Sequence, residues 1–399
     1  MREHIHGAIQ PTERLIMGNS QTICLFSTLY PPSIGGVQTY TASLADALRD
    51  KGFRVVVFAC NTHGMKDITE ENDIEIIRIP CHNVLGGRYP IPKVAASRPY
   101  WEKLKKQHVD YIVINTRFYP LSIQALAFAE NSRIKPIVIE HGSAHLTMGN
   151  PVADRIVETA EHVMTKRCLR YPAQFYGVSK KASAWLNHFS IFSQGELPNA
   201  INADKYIKLS SGRDFRQELC LNNDDFLVSF IGRLVPEKGV QNLAKASQIL
   251  AHENIVFALG GDGPLREDLK RKESKTFRIL GRLNRSDTAA LLLQSDLMCL
   301  PSRSEGFSTT LLEAAACGTP SLVTNVGGTD ELIPNSEYGT ILPDSTPGTI
   351  SKAILEAKSD LPNIIQQGFF VRQLVENEYS WESTAAKLID ACERAQQPS

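Results

Sequence analysis

Much that would place this 399-residue sequence quickly is missing from it. No stretch approaches the roughly 18 apolar residues of a membrane-spanning helix. The eight cysteines, Cys24, Cys60, Cys81, Cys168, Cys220, Cys299, Cys317 and Cys392, form no CxxC pair. Several sit inside apolar runs, as in Met298-Cys299-Leu300. They are therefore expected as free thiols, packed like small hydrophobes in a reducing cytoplasm. Residues 1–19 lack the apolar centre of a signal peptide and are expected to form a flexible extension. Net charge is absent too: 43 basic residues balance 43 acidic ones, so no nucleic acid partner is expected. The balance hides a small asymmetry. Residues 1–203 carry 22 Lys/Arg against 17 Asp/Glu, and the remainder 21 against 26, a mildly basic first half. No short repeat or low-complexity tract appears.

What is present is alternation. Short β-branched runs at Thr22–Thr28, Arg54–Ala59, Ile74–Ile79, Tyr111–Asn115, Ile137–Glu140 and Gln174–Val178 read as strands. Helical stretches fill Val37–Asp50, Leu121–Asn131 and Pro151–Cys168. The rhythm repeats with strands at Phe226–Ile231, Ile255–Leu259, Phe277–Leu280, Leu297–Leu300 and Ser321–Thr324. Strands alternating with helices predict an α/β chain with parallel sheets covered on both faces. Two such blocks predict two Rossmann-like domains, and the length suits two.

The densest information lies in Pro301–Gly328, PSRSEGFSTTLLEAAACGTPSLVTNVGG. Glu305 and Glu313 stand eight positions apart, and Gly306, Phe307 and Ser308 open a predicted helix at Thr309–Cys317. A helix start presents free N–H groups and a positive dipole end, which suits a phosphate. Glu313, inside the helix, can accept ribose hydroxyls, and Glu305, in the loop before it, can reach a sugar. Upstream, Gly232-Arg233-Leu234-Val235-Pro236-Glu237-Lys238-Gly239 offers two cations after a strand. The bland reading is a surface Arg and Lys flanking a proline turn. The functional one is stabilisation of a departing diphosphate. Gly260-Gly261-Asp262-Gly263-Pro264 fails as a dinucleotide fingerprint, since no glycine follows three residues after Gly263. Gly35-Gly36 precedes a helix, where a plain strand-to-helix turn competes with close backbone approach to a ligand. His141, in Glu140-His141-Gly142-Ser143, ends a predicted parallel strand, where side chains face the ligand crevice. The run Arg98–Lys106 carries Tyr100 and Trp101 among basic residues, and reads as a solvated helix face or a membrane-interface contact. Lys166, Arg167 and Arg170 form a second basic cluster with the same two readings.

Taken together, Pro301–Gly328, the Gly232–Gly239 element and the Gly-Asp-Gly-Pro turn closely resemble the retaining glycosyltransferases of family 4, of the bacterial surface-polysaccharide type. The resemblance covers the chain from about Thr22 and implies a GT-B fold, two facing Rossmann-like domains. It implies an acceptor domain over residues 20–200, a donor domain over 201–379, and a last helix, 380–399, returning to the first. The junction Leu197-Pro198-Asn199-Ala200-Ile201-Asn202 resembles the family's domain exit, with Ala200 for a glycine and Asn202 for an aspartate. By resemblance, Arg233, Lys238, Glu305 and His141 are the catalytic group. Gly35, Gly36, Gly232, Arg282, Leu283, Gly306, Phe307, Ser308, Thr309, Thr310 and Glu313 line the donor site. Ser308 stands where many relatives have glycine, and its hydroxyl is expected beside the sugar pocket. The implied partners are a nucleotide-sugar donor, UDP-linked rather than GDP-linked, and a glycan or lipid-linked acceptor, with peripheral contact at the inner membrane face. No cofactor and no metal are expected, since two cations serve the diphosphate and no convincing Asp-x-Asp motif is present. A hydrolysing UDP-sugar 2-epimerase shares the architecture, and a non-catalytic GT-B scaffold protein is the third alternative.

Overall fold

The structure, a computed structural model, describes residues 21–33, 35–145, 151–305 and 307–397. The extension 1–19 expected from the sequence lies outside the described residues. Strands follow the apolar runs: β1 (Thr22–Ser27), β2 (Arg54–Cys60), β3 (Ile68–Glu71), β4 (Ile74–Ile79), β5 (Cys81–Val84), β6 (Tyr89–Pro92), β7 (Tyr111–Asn115), β8 (Ile137–Glu140) and β9 (Gln174–Gly177). A second set comprises β10 (Phe226–Ile231), β11 (Ile255–Gly260), β12 (Phe277–Gly281), β13 (Leu297–Leu300), β14 (Ser321–Thr324) and β15 (Thr340–Leu342).

The first sheet runs β3-β4-β2-β1-β7-β8-β9 and the second β12-β11-β10-β13-β14-β15. Every pairing is parallel except β3 on β4, while β5 and β6 form a separate antiparallel hairpin. β1, β2, β7, β8, β10, β11 and β13 are buried almost throughout, as strands covered by helices on both faces must be. Strand order reverses beside β1 in the first sheet and beside β10 in the second. Such switch points open crevices at the carboxyl ends of the strands. The GT-B reading stands: two Rossmann-like sheets, with the last helix, Trp381–Gln396, packed on the Gly36–Asp50 helix of the first.

Sequence reasoning passed over β3, β5, β6 and β15. β3 and β5 are four residues long and mostly exposed, with no apolar run to announce them. A clear correction falls on the Arg98–Lys106 run. It lies largely on the helix Val94–Lys105, and Trp101 turns inward against Phe26, Phe58 and Phe128, with ring centroids 5.7, 4.5 and 5.6 Å away. Tyr100 donates its hydroxyl to Asp67 at 2.5 Å. Its aromatics are therefore committed to the fold and not presented to a membrane. All eight cysteines are free; five are buried, Cys81 and Cys317 are half-buried, and Cys220 is exposed.

Candidate active site

At the second switch point, β10 and β13 lie side by side, Val228 opposite Leu297 and Ser229 opposite Met298. The loops that leave them are laced together. Gly239 adopts φ 71°, and a β-carbon there would stand 2.2 Å from the Pro301 carbonyl oxygen. Only glycine permits that approach. Arg303 N–H then donates to the Glu237 carbonyl at 2.7 Å. This contact brings the Lys238 ammonium into an ion pair with Glu305 Oε1, which also accepts from Ser302 Oγ at 2.9 Å. Arg233 is exposed, and its guanidinium makes no hydrogen bond or ion pair with any described residue. The Gly260–Pro264 turn is structural: a β-carbon on Gly261 would lie 1.8 Å from the Gly232 carbonyl oxygen, so this turn seats the Arg233 loop.

The helix after β13 spans Thr309–Ala316, one residue shorter than expected. Ser308 is its N-cap, its Oγ accepting from Leu311 N–H at 3.3 Å. The hydroxyl expected beside the sugar pocket is thus engaged in capping the helix. Phe307 is buried, its ring filling the space a β-carbon on Gly328 would need and lying 5.7 Å from Tyr379. Its side chain therefore serves packing, so Phe307 and Ser308 offer a donor chiefly backbone. Thr309 and Thr310 open the first turn, where N–H groups point along the axis without intrahelical acceptors. Gly306 lies outside the described residues. Leu283 packs over Gly260, 2.7 Å from where a β-carbon would sit, whereas Arg282 is exposed.

Glu313 is half-buried, and its carboxylate has no hydrogen-bond partner among the described residues. Burial pushes its carboxyl up to about 7, with the Arg285 guanidinium opposing the shift. Beside it stands Tyr206, whose hydroxyl is buried and also unpartnered. Two polar groups without partners mark a place prepared for ligand contact or water.

The first sheet supplies the facing wall. His141 follows β8, and its Nε2 lies 2.8 Å from Asn115 Oδ1 at the end of β7. Tyr40 presents a ring edge to it at 4.8 Å, and burial pushes the imidazole down to about 3, so His141 is neutral. Gly35 precedes and Gly36 begins the Gly36–Asp50 helix; a β-carbon on Gly36 would meet nothing within 4 Å. Behind the wall, the wholly buried Arg117 pairs with both Glu140 and Glu161 and stacks 4.0 Å from the Phe189 ring. Across the cleft, Ser143 Oγ donates to the Glu305 carbonyl at 2.5 Å.

The structure thus gathers Lys238, Glu305 and the Thr309 helix on one wall and His141, Gly35 and Gly36 on the other. Asn115, Arg117, Ser143 and Ser302 were missed by sequence reasoning. Asn115 was recoverable, since it ends a parallel strand as Glu140 does before His141. A cavity of about 460 Å³ lies at the hinge instead, lined by Asp46, Asp50, Asn202, Tyr206, Arg285 and Trp381, and touches none of the predicted site residues.

Two facing Rossmann-like units with polar loops meeting at both switch points define a GT-B-type architecture. Residues 34–203 match the family model described as Glycosyltransferase Family 4, and residues 212–367 that of Glycosyl transferases group 1. The chain belongs to this glycosyltransferase family. It is similar to the GDP-mannose-dependent monoacylated alpha-(1-6)-phosphatidylinositol monomannoside mannosyltransferase of Corynebacterium glutamicum, 26% identical over 93% of this chain and 98% of that protein. The GPI3 subunit of the Saccharomyces cerevisiae phosphatidylinositol N-acetylglucosaminyltransferase is 23% identical over 92% and 82%. Among solved structures, sucrose-phosphate synthase from Thermosynechococcus elongatus shares the fold at TM-score 0.73, 21% identity and coverage of 94% and 98%. Anabaena HepE, solved with UDP-glucose, does so at 0.71, with 16% identity and coverage of 94% and 99%. Among the described residues, no helix is long and apolar enough to cross a membrane.

Proposed function

We propose that this chain is a metal-independent, retaining glycosyltransferase. It moves a hexose or N-acetylhexosamine from a nucleoside diphosphate, UDP favoured over GDP, to a hydroxyl of a glycan or lipid-linked saccharide. The setting proposed is cytoplasmic cell-surface polysaccharide synthesis. The observation that supports it best is the juxtaposition, at one switch point, of Lys238, the unpaired Arg233, Glu305 and the start of the Thr309–Ala316 helix.

In this reading the diphosphate lies against the helix start, and the two cations stabilise charge that grows as the sugar–phosphate bond breaks. Lys238 is held by Glu305 in the ligand-free chain and exchanges that partner for phosphate oxygen. Glu305 is then released to accept sugar hydroxyls, while Glu313 accepts those of the ribose. The acceptor oxygen bonds to the anomeric carbon on the face the diphosphate leaves, and its proton passes to a departing phosphate oxygen. Neutral His141 exchanges hydrogen bonds with the sugar from the opposite wall and carries no charge in the step. Residues 20–200 with the last helix form the acceptor unit, and 201–379 the donor unit. The outer helix Pro151–Cys168 exposes Val152, Ile156 and Val163, and the basic Lys166, Arg167 and Arg170 follow along its end, which supports peripheral contact with an anionic surface.

Calorimetric titration with UDP and GDP, with Glu313→Ala as control, tests the site. Binding of UDP that is lost in the variant is the expected result. Equal binding by the variant, or none of either nucleotide by the native chain, would overturn it.

A further inference from the structure

Outside the cleft, three histidines converge where nothing in the proposed transfer requires them. His145 lies in the loop after β8, His162 on the helix Pro151–Cys168, and His188 in the short helix Asn187–Phe189. One ring nitrogen of each lies within 4.8 Å of the others. His162 Nε2 and His188 Nε2 are 3.3 Å apart. That spacing equals the edge of a tetrahedron whose centre is about 2.0–2.1 Å from each nitrogen, the usual zinc–imidazole distance. Two neutral imidazole nitrogens at this range either share one proton or both present lone pairs to a cation.

The orientation of His145 points to the second case. Its Nδ1 lies 2.8 Å from Glu161 Oε2. Glu161 is 4% exposed and held by Arg117, so it can only accept, and Nδ1 carries the proton. The lone pair therefore sits on Nε2, which is buried and has no hydrogen-bond partner. A carboxylate fixing one imidazole nitrogen so that the other can ligate is the usual outer support of a metal-bound histidine. Glu158 Oε1 lies 3.8 Å from that same Nε2, while its other oxygen accepts from Arg155 at 3.2 Å. Trp185 stacks on His188 at 4.8 Å and nearly parallel, fixing the third ring from outside.

We propose that His145, His162 and His188 form a structural zinc site, completed by Glu158 or water. The ion would pin the loop that carries His141 and Ser143 to two helices of the same half. Three imidazoles, two of them at the spacing of a tetrahedral edge, select zinc over calcium or magnesium, which take oxygen ligands at larger coordination numbers. The site is separate from sugar transfer, so its test does not use activity.

The experiment is zinc uptake by the untagged full chain, in a background where His4 and His6 are replaced by alanine to remove N-terminal imidazoles. About one zinc per chain is expected after dialysis. Cobalt substitution should give the visible spectrum of a tetrahedral nitrogen and oxygen site, without the thiolate charge-transfer band that the eight cysteines could produce. His188→Ala, at an exposed position, should retain the far-ultraviolet circular dichroism of the native chain and lose the ion. Glu161→Gln, which keeps all three ligands, should weaken zinc about 10–100-fold. Uptake unchanged in His188→Ala, a thiolate-type cobalt spectrum, or no stoichiometric zinc in the parent would each overturn the proposal.

Discussion

Replacing Glu313 with glutamine should make the ligand-free chain more stable, and more so as pH rises. The native carboxyl is raised from its ordinary 4.5 to about 7 because the fold buries it without a hydrogen-bond partner. Between those values the folded chain holds the proton more tightly than the unfolded chain does. Stability therefore falls as pH rises from about 4.5 to 7 and is flat above. A shift of this size corresponds to about 3 kcal/mol. Residual solvent contact reduces the expected effect to roughly 1–3 kcal/mol. Glutamine keeps the shape and removes the charge. Urea unfolding of both chains at pH 5, 6, 7 and 8 isolates this one group, since other titrations cancel in the difference. The advantage of Glu313→Gln should be small near pH 5 and reach its plateau above pH 7. A difference that does not vary across the series would refute the argument, because no pH-independent packing change can mimic it. The same carboxylate should reveal its role when nucleotide is added. Losing a charged acceptor for ribose hydroxyls costs about 1.5–3 kcal/mol, so UDP should bind glutamine-bearing protein about 10–100-fold more weakly despite its greater stability.

Lys238→Ala should leave the chain folded and reduce turnover about 100- to 1000-fold, the usual effect of deleting one group aimed at developing charge. Steady-state kinetics with the donor found by titration would show it, and a raised KM with unchanged kcat would assign Lys238 to simple binding. Ser308→Gly removes a helix cap and should cost only a few tenths of a kcal/mol by thermal melting. Its ranking of donor sugars should be unchanged, and a reordered ranking would return the hydroxyl to the sugar pocket. His141→Gln should blunt acid sensitivity. The native imidazole is lowered from 6.5 to about 3, so the folded chain binds the proton less tightly than the unfolded one, and stability rises with pH through that window. A stability–pH slope between 4 and 6.5 equal to that of the native chain would exclude this account.

The parts of the fold legible in the sequence are those governed by one strong local signal. Runs such as Arg54–Cys60 and Phe226–Ile231 are β-branched or aromatic and buried, and they stand as strands close to their expected bounds. β3 and β5 carry no such signal, being edge or hairpin segments open to water. At the site, residue identity foretold which loops meet at the cleft, but not what each side chain does there. Ser308 caps, Phe307 fills space beside Gly328, and Leu283 covers Gly260, because local backbone demands were met first. Trp101 shows the same limit on the other side of the molecule: its basic neighbours describe the outside of a helix whose inner face takes the indole. Asn202, by contrast, replaces the aspartate of related exits and still caps the next helix, accepting from Lys205 N–H at 2.9 Å. Capping needs only a short side chain with an acceptor oxygen, so the departure changes little.

The contacts joining the two halves fall into two kinds with different energetic weight. At the hinge, Ile201 N–H bonds the Tyr379 carbonyl at 2.8 Å, Thr384 Oγ1 bonds that of Pro198 at 3.1 Å, and Tyr40 OH that of Leu197 at 3.0 Å. Around them the last helix buries Leu388, Ala391, Cys392 and Ala395, each adding apolar area that water would penalise. Across the cleft, the contacts are polar: Ser143 to Glu305, Lys180 N–H to Glu331 at 2.8 Å, and Lys181 with Asp330 at 3.3 Å. Such bonds at partly exposed positions are each worth about 0.5–1.5 kcal/mol or less once water replaces them. Parting the cleft therefore costs little while the hinge holds, which is the asymmetry a closing enzyme needs. Ser143 takes the backbone carbonyl of Glu305 and leaves its carboxylate with Lys238, so the contact that shuts the cleft does not consume the group proposed to hold the sugar.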